Sequence, residues 1–129
     1  MIRAETVVKI SDNSAIVKGK CIKVYGNKKY GSVGDVILMS IQQYYLNKGF
    51  MRNKKKKKRY SKGSLHRGLI IRTKFRFKRS NNIWVNFTDN AVILINKRGE
   101  PLASRIKGPV PWELVLKKSS LISLCTEIV

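Results

Sequence analysis

Lys54, Lys55, Lys56, Lys57, Lys58 and Arg59 stand side by side in the stretch MRNKKKKKRYSKG, with Lys62 just beyond Tyr60 and Ser61, and no acid interrupts them. Such a run does no covalent chemistry. Its chemistry is charge neutralisation: each cation placed near a phosphate releases a condensed counterion, and the affinity gained falls steeply with salt. A solvated loop and a nuclear address are the competing readings, but packing like charges together with no neighbouring acid concentrates repulsion. The segment also lies between two apolar runs that must share one core, so it is tethered at both ends. Contact with a polyanion is the favoured reading.

The residues that would support catalysis are few and scattered. General acid–base work needs positioned groups with tuned pKa values, yet the chain has one histidine, His66, and seven acids with no carboxylate pair among them. Cys21 and Cys125 stand far apart with no CxxC spacing and no Cys/His cluster. They read as two reduced thiols acting as small apolar residues, with a disulfide left open and no metal site expected. The glycine-rich GNKKYGSVG lacks the Lys-Ser/Thr ending of a phosphate-binding loop and reads as turns. No catalytic residue, no metal and no cofactor are assigned, and the chain is read as a non-enzyme.

Downstream of the lysine run, GLIIRTKFRFKR sets Phe75 and Phe77 between Lys74, Arg76 and Lys78. Period two places aromatics on one face of a strand and cations on the other. Arg67, Arg72, Lys74, Arg76, Lys78 and Arg79 therefore join the lysine run as candidate phosphate contacts. The aromatic pair belongs to a core or stacks on splayed bases, and Tyr60 beside Arg59 offers the same interleaving.

The elements that would carry these residues are short strands. Thr6 to Ser11 is β-prone and leads into the turn cluster SDNS, where Asx side chains bond their own backbone. Strand runs around Cys21–Val24 and DVILMSIQQ flank a loop with Gly26, Gly31 and Gly34, and SNN breaks the chain before IWVNF and NAVILIN. Five or six strands in about ninety residues, with close turn signals, predict a mainly β fold, a small barrel. GPVPWELVLKK then predicts a short helix begun at a proline, with Leu121 to Cys125 packed beside it. One domain is expected over 1–129, with the barrel and its basic loop 47–64 in 1–98 and a C-terminal loop with short helices in 99–129.

Composition sets the partner class. Lys+Arg number 28 against 7 Asp+Glu, a formal net charge of +21. A chain so charged repels itself unless a partner supplies negative charge, and nucleic acid suits this density best. No run of eighteen uncharged apolar residues and no secretory leader is present, so no membrane partner and no targeting segment are expected. Alanine occurs only at positions 4, 15, 91 and 103, while Lys, Ile and Asn are abundant, the bias of an AT-rich gene.

The blocks SDNS, CIKVYG, SVGDVI, GLIIRTKF, FTDNAVILIN, GEP, SRIKGPV and EL, closing with ISL and EIV, occur in one order along nearly the whole chain. In these the chain resembles the universal large-subunit ribosomal protein fourteen family. The resemblance implies a five-stranded β-barrel with a projecting basic loop or hairpin, short C-terminal helices and a structural role on large-subunit rRNA. It implies neighbours among the large-subunit proteins nineteen and three, and a C-terminal side that meets small-subunit rRNA in an intersubunit bridge. Ser104 and Arg105 match the family's Thr-Arg on that side, where relatives also dock a ribosome-silencing factor. The chain departs from the family pattern at Ala15 and Ala103, at Asn82 in place of a hairpin glycine, at Trp112 in place of Arg, and in the enlarged segment Asn47 to Ser64. The alphabet and the missing leader favour a product made inside a mitochondrion and placed in its ribosome, with a plastid or a bacterial cytoplasm as the alternative source. A free-standing organellar module that coats single strands is the competing function.

Overall fold

The computed structural model describes residues 1–45 and 61–129. In chain order its elements are β1 (Val7–Ile10), β2 (Ile16–Val24), β3 (Val36–Tyr44), β4 (Leu65–Arg72), β5 (Phe77–Lys78), β6 (Trp84–Val85), β7 (Ala91–Ile95), β8 (Ile106–Val110), helix α1 (Trp112–Lys117), a 3-10 helix (Ser119–Leu124) and β9 (Cys125–Ile128). Five of these strands close a barrel in the order β1-β2-β3-β4-β7. Neighbours run antiparallel except at the closing seam, where β1 and β7 run parallel with Lys9 opposite Ala91 and Ile10 opposite Val92. The expected five-stranded barrel is present.

Side-chain alternation fills it. Ile37, Met39 and Ile41 on β3 point inward beside Val8, Ile10, Cys21, Ile70, Val92 and Leu94, all buried in one apolar cluster. Strands β4 and β7 are buried on both faces, which is why GLII and AVILI are unbroken apolar runs instead of alternating ones. Their outer residues Leu69, Ile71, Ile93 and Ile95 form a second cluster with Ile106, Val110, Leu114 and Leu121. The C-terminal segment is thus a lid over one flank of the barrel. The two thiols are free, Cys21 inside the barrel and Cys125 against the outer layer, and burial pushes both pKa values up.

Gly68 permits the tightest packing inside. A Cβ built there would lie 2.3 Å from Val92 Cγ1 and 3.3 Å from Met39 Sδ. Overpacking a filled core costs roughly 1–3 kcal/mol. Gly68→Ala is expected to lose stability in that range by denaturant unfolding, and an unchanged midpoint would mean that Met39 and Val92 have room to move.

Two features differ from the sequence expectation. The C-terminal region holds strands as well as helices: β8 and β9 pair in parallel, with Ile106 opposite Cys125 and Val110 opposite Ile128. The run GLIIRTKFRFKR is also not one strand, because β4 ends at Arg72 and the chain resumes as the two-residue β5. Side chains take over the backbone at the break: the Thr73 hydroxyl donates to the Phe75 carbonyl at 3.0 Å, and the Lys74 amide donates to Asn90 Oδ1 at 2.9 Å. Pro111 is the N-cap of α1, as the proline signal suggests, with Glu113 in the first turn and Lys117 in the last, both favourable to the helix dipole.

Candidate nucleic-acid interface

The SDNS turn anchors one end of the barrel. Asp12 is 3% exposed and accepts from the Ser14 amide at 3.0 Å, from the Ser14 hydroxyl and from the Leu94 amide at 3.0 Å. Asn13 reaches across the chain instead. Its Nδ2 donates to Ser104 Oγ at 2.9 Å, while the Ser104 and Arg105 amides donate to its Oδ1 at 3.1 and 3.3 Å. Ser104 and Arg105 are consequently exposed yet held by a defined backbone cradle.

Arg72 is removed from the candidate phosphate contacts. It is 4% exposed, and all five of its N–H donors are used within the chain. Nε and Nη2 donate to the Asp89 carboxylate at 2.9 and 3.2 Å, Nη2 also to Ser11 Oγ at 2.8 Å, and Nη1 to the Lys107 and Pro109 carbonyls at 3.0 Å each. Gly108 makes the space, with φ +82° and a Cβ position 2.8 Å from Arg72 Nη1. The hydrogen bond from Arg72, opposed by burial and helped by the charges of Arg72 and Lys9, holds the Asp89 carboxyl below the usual carboxylate range.

Arg79 is corrected for a similar reason. Its Nε is bonded to Glu113 Oε1, its Nη2 donates to Glu113 Oε2 at 3.3 Å and to the Val129 carbonyl at 2.8 Å, and its guanidinium lies 5.7 Å from the Trp112 ring centroid. It fastens the base of the β5–β6 hairpin to α1 and the chain end. The Arg expected at position 112 by family resemblance is here an aromatic partner for that cation.

The remaining described candidates stand on the surface. Lys62, Lys74, Arg76 and Lys78 are exposed, and half-buried Arg67 shares the Tyr25 ring with Lys23, at 5.0 and 5.1 Å from its centroid. Lys54, Lys55, Lys56, Lys57, Lys58 and Arg59 lie outside the described residues. Phe75 is 51% exposed and Phe77 half-buried, and both line a groove with Met1, Val33 and Leu114 between the hairpin and α1. Neither is a barrel-core residue.

A basic face was missed in the sequence reading. Lys9 on β1 lies directly opposite Lys18 on β2, and Lys20 follows opposite Val7. Like charges facing each other across strands destabilise a sheet, and only Lys9 has an acid within reach, Asp89 at 3.8 Å. Lys74 lines the same shallow depression as Lys9 and Lys18. The signal was present in IVKGKCIKV, where alternate lysines fall on the outer face. Trp84, 54% exposed with Arg76 and Lys78 at 4.9 and 6.0 Å from its centroid, was missed as well.

Four of the chain's seven acids are already committed elsewhere. Asp12 is buried, while Asp35, Asp89 and Glu113 already serve Lys28, Arg72 with Lys9, and Arg79 in the four ion pairs among the described residues. No helix among these residues is long and apolar enough to cross a membrane.

A closed small barrel with a covered C-terminal flank and a strongly cationic outer face defines the class: a small, strongly basic β-barrel protein. The sequence model described as ribosomal protein L14p/L23e matches residues 1–129, and the chain belongs to that family. It is accordingly a structural, non-enzymatic protein of the large ribosomal subunit, associated there with rRNA and ribosomal proteins.

Proposed function

We propose that this protein holds large-subunit rRNA directly through two cationic surfaces, the β1–β2 face with Lys9, Lys18, Lys20 and Lys74, and the hairpin with Arg76 and Lys78, joined by the lysine run 54–58 with Arg59, Lys62 and Arg67. The observation that carries the reading is the Lys9–Lys18 pair: two exposed ammonium groups opposite each other in a sheet are tolerable when phosphates lie between them. The clamped pair Ser104 and Arg105 is the contact to small-subunit rRNA across the subunit interface, and the same face is the docking place for a silencing factor. The neighbours are the large-subunit proteins nineteen and three, and the setting is the mitochondrial ribosome, a reading supported by the AT-biased alphabet.

Sedimentation of a native lysate through a magnesium-containing gradient, at moderate and at high salt, tests this. The chain is expected to travel quantitatively with the large subunit at moderate salt and to be stripped only at high salt. A chain that stays at the top, or follows DNA, would instead favour the free-standing single-strand-binding module.

A further inference from the structure

The β5–β6 hairpin has two unlike faces. Phe77 turns toward the groove above α1, whereas Lys78 and Trp84 stand directly across the hairpin from each other, and Arg76, at the border of the groove, carries its guanidinium to 4.9 Å from the Trp84 ring centroid. Asn82, with φ +64°, makes the tight turn at its tip, and the Asn81 side chain accepts from the Ile83 amide at 3.2 Å. Arg79 pins the hairpin base to Glu113 and Val129. A large indole is thus left 54% exposed on a hairpin anchored at its base, beside two cations with no carboxylate partner among the described residues.

We propose that this face is a nucleotide platform: Trp84 stacks on one unpaired base of RNA while Arg76 and Lys78 hold the phosphates on either side of it. The inference rests on the rRNA-binding reading and adds to it a preference for an extruded base. Purely electrostatic contacts follow any phosphate backbone, whereas an indole face gains from a base only when that base is free to leave its helix. The charge pattern favours RNA over an apolar protein segment, because an apolar occupant would strip water from Arg76 and Lys78 without giving them a partner. The cross-strand contact with Lys78 orients the ring, and the hairpin's fixed base limits the order that binding must create.

The test compares two RNA hairpins of equal length, one fully paired and one with a single bulged adenosine, against the full chain carrying Trp112→Phe so that Trp84 is the only indole. The bulged RNA is expected to bind on the order of ten- to a hundredfold more tightly, with indole emission quenched on binding. Trp84→Leu, measured with Trp112 intact, keeps an apolar cross-strand residue but lacks a flat π face. It is expected to abolish the preference while thermal unfolding and binding of the paired RNA stay as in the parent. Equal affinity for the two RNAs, or a preference that survives in Trp84→Leu, overturns the platform. Failure of the parent to bind either RNA overturns the rRNA-binding reading itself, so the two failures are distinguishable.

Discussion

Arg72→Ala is expected to destabilise the protein by about 3–5 kcal/mol, the range for removing one partner of a buried charge pair. For a chain of 129 residues that corresponds to a melting temperature lower by about 10–20 °C. The loss has several sources. Asp89 would keep a part-buried carboxylate without its bidentate partner, and the Lys107 and Pro109 carbonyls and the Ser11 hydroxyl would each lose a donor. Arg72→Lys is expected to recover only part of it, because an ammonium has three donors and cannot fork across a carboxylate. The same contact predicts acid sensitivity. Asp89 has a lowered pKa in the folded state, so its contribution is complete above the unfolded carboxylate value and is lost as pH falls through the folded value. Thermal unfolding followed from pH 6 down to about pH 2 should therefore show a decline that begins near pH 4 and is smaller in Arg72→Ala. If Arg72→Ala keeps its stability and instead loses RNA affinity, the guanidinium is a phosphate ligand after all.

Replacing Lys54 to Lys58 with serine is expected to have the largest effect on binding. Each phosphate contact contributes about 0.7 to 0.9 to the slope of log affinity against log salt. If all five lysines make one contact each, the slope becomes shallower by about 3.5 to 4.5. The wild-type advantage should accordingly be large in dilute buffer and shrink as salt rises. Stability should change little, since lysine side chains are almost never fully buried unless paired and the run has no acid beside it. A slope equal to that of wild type would transfer the rRNA contact to the barrel face of Lys9, Lys18 and Lys20.

The contrast between the lysine run and Arg72 marks what a sequence makes legible. Unbroken apolar runs in β4 and β7, and alternation in β3, follow from local side-chain direction, so the barrel can be read from one window at a time. The role of Arg72 cannot. Its partners lie 17, 35, 37 and 61 residues away, and nothing within its own strand separates it from an exposed strand cation. The β8–β9 pair escaped for the same reason: five and four residues, broken by Gly108 and Pro109, become strands only because they lie together over the barrel. Lys18, Lys20 and Trp84 are a different case. Their outward placement was readable from period two, but the dense lysine run drew the functional reading away from them.

The parallel seam between β1 and β7 also dictates an order of events. The partner of Lys9 is Ala91 and that of Ile10 is Val92, so β1 has no closing neighbour until β7 has been synthesised. The flank of β4 and β7 then stays uncovered until Ile106 to Leu121 follows. No fragment that ends before Ile106 can hold both apolar clusters closed. Closure of the second cluster therefore waits on the C-terminal segment, and a chain cut before Ile106 exposes the apolar outer face of β4 and β7.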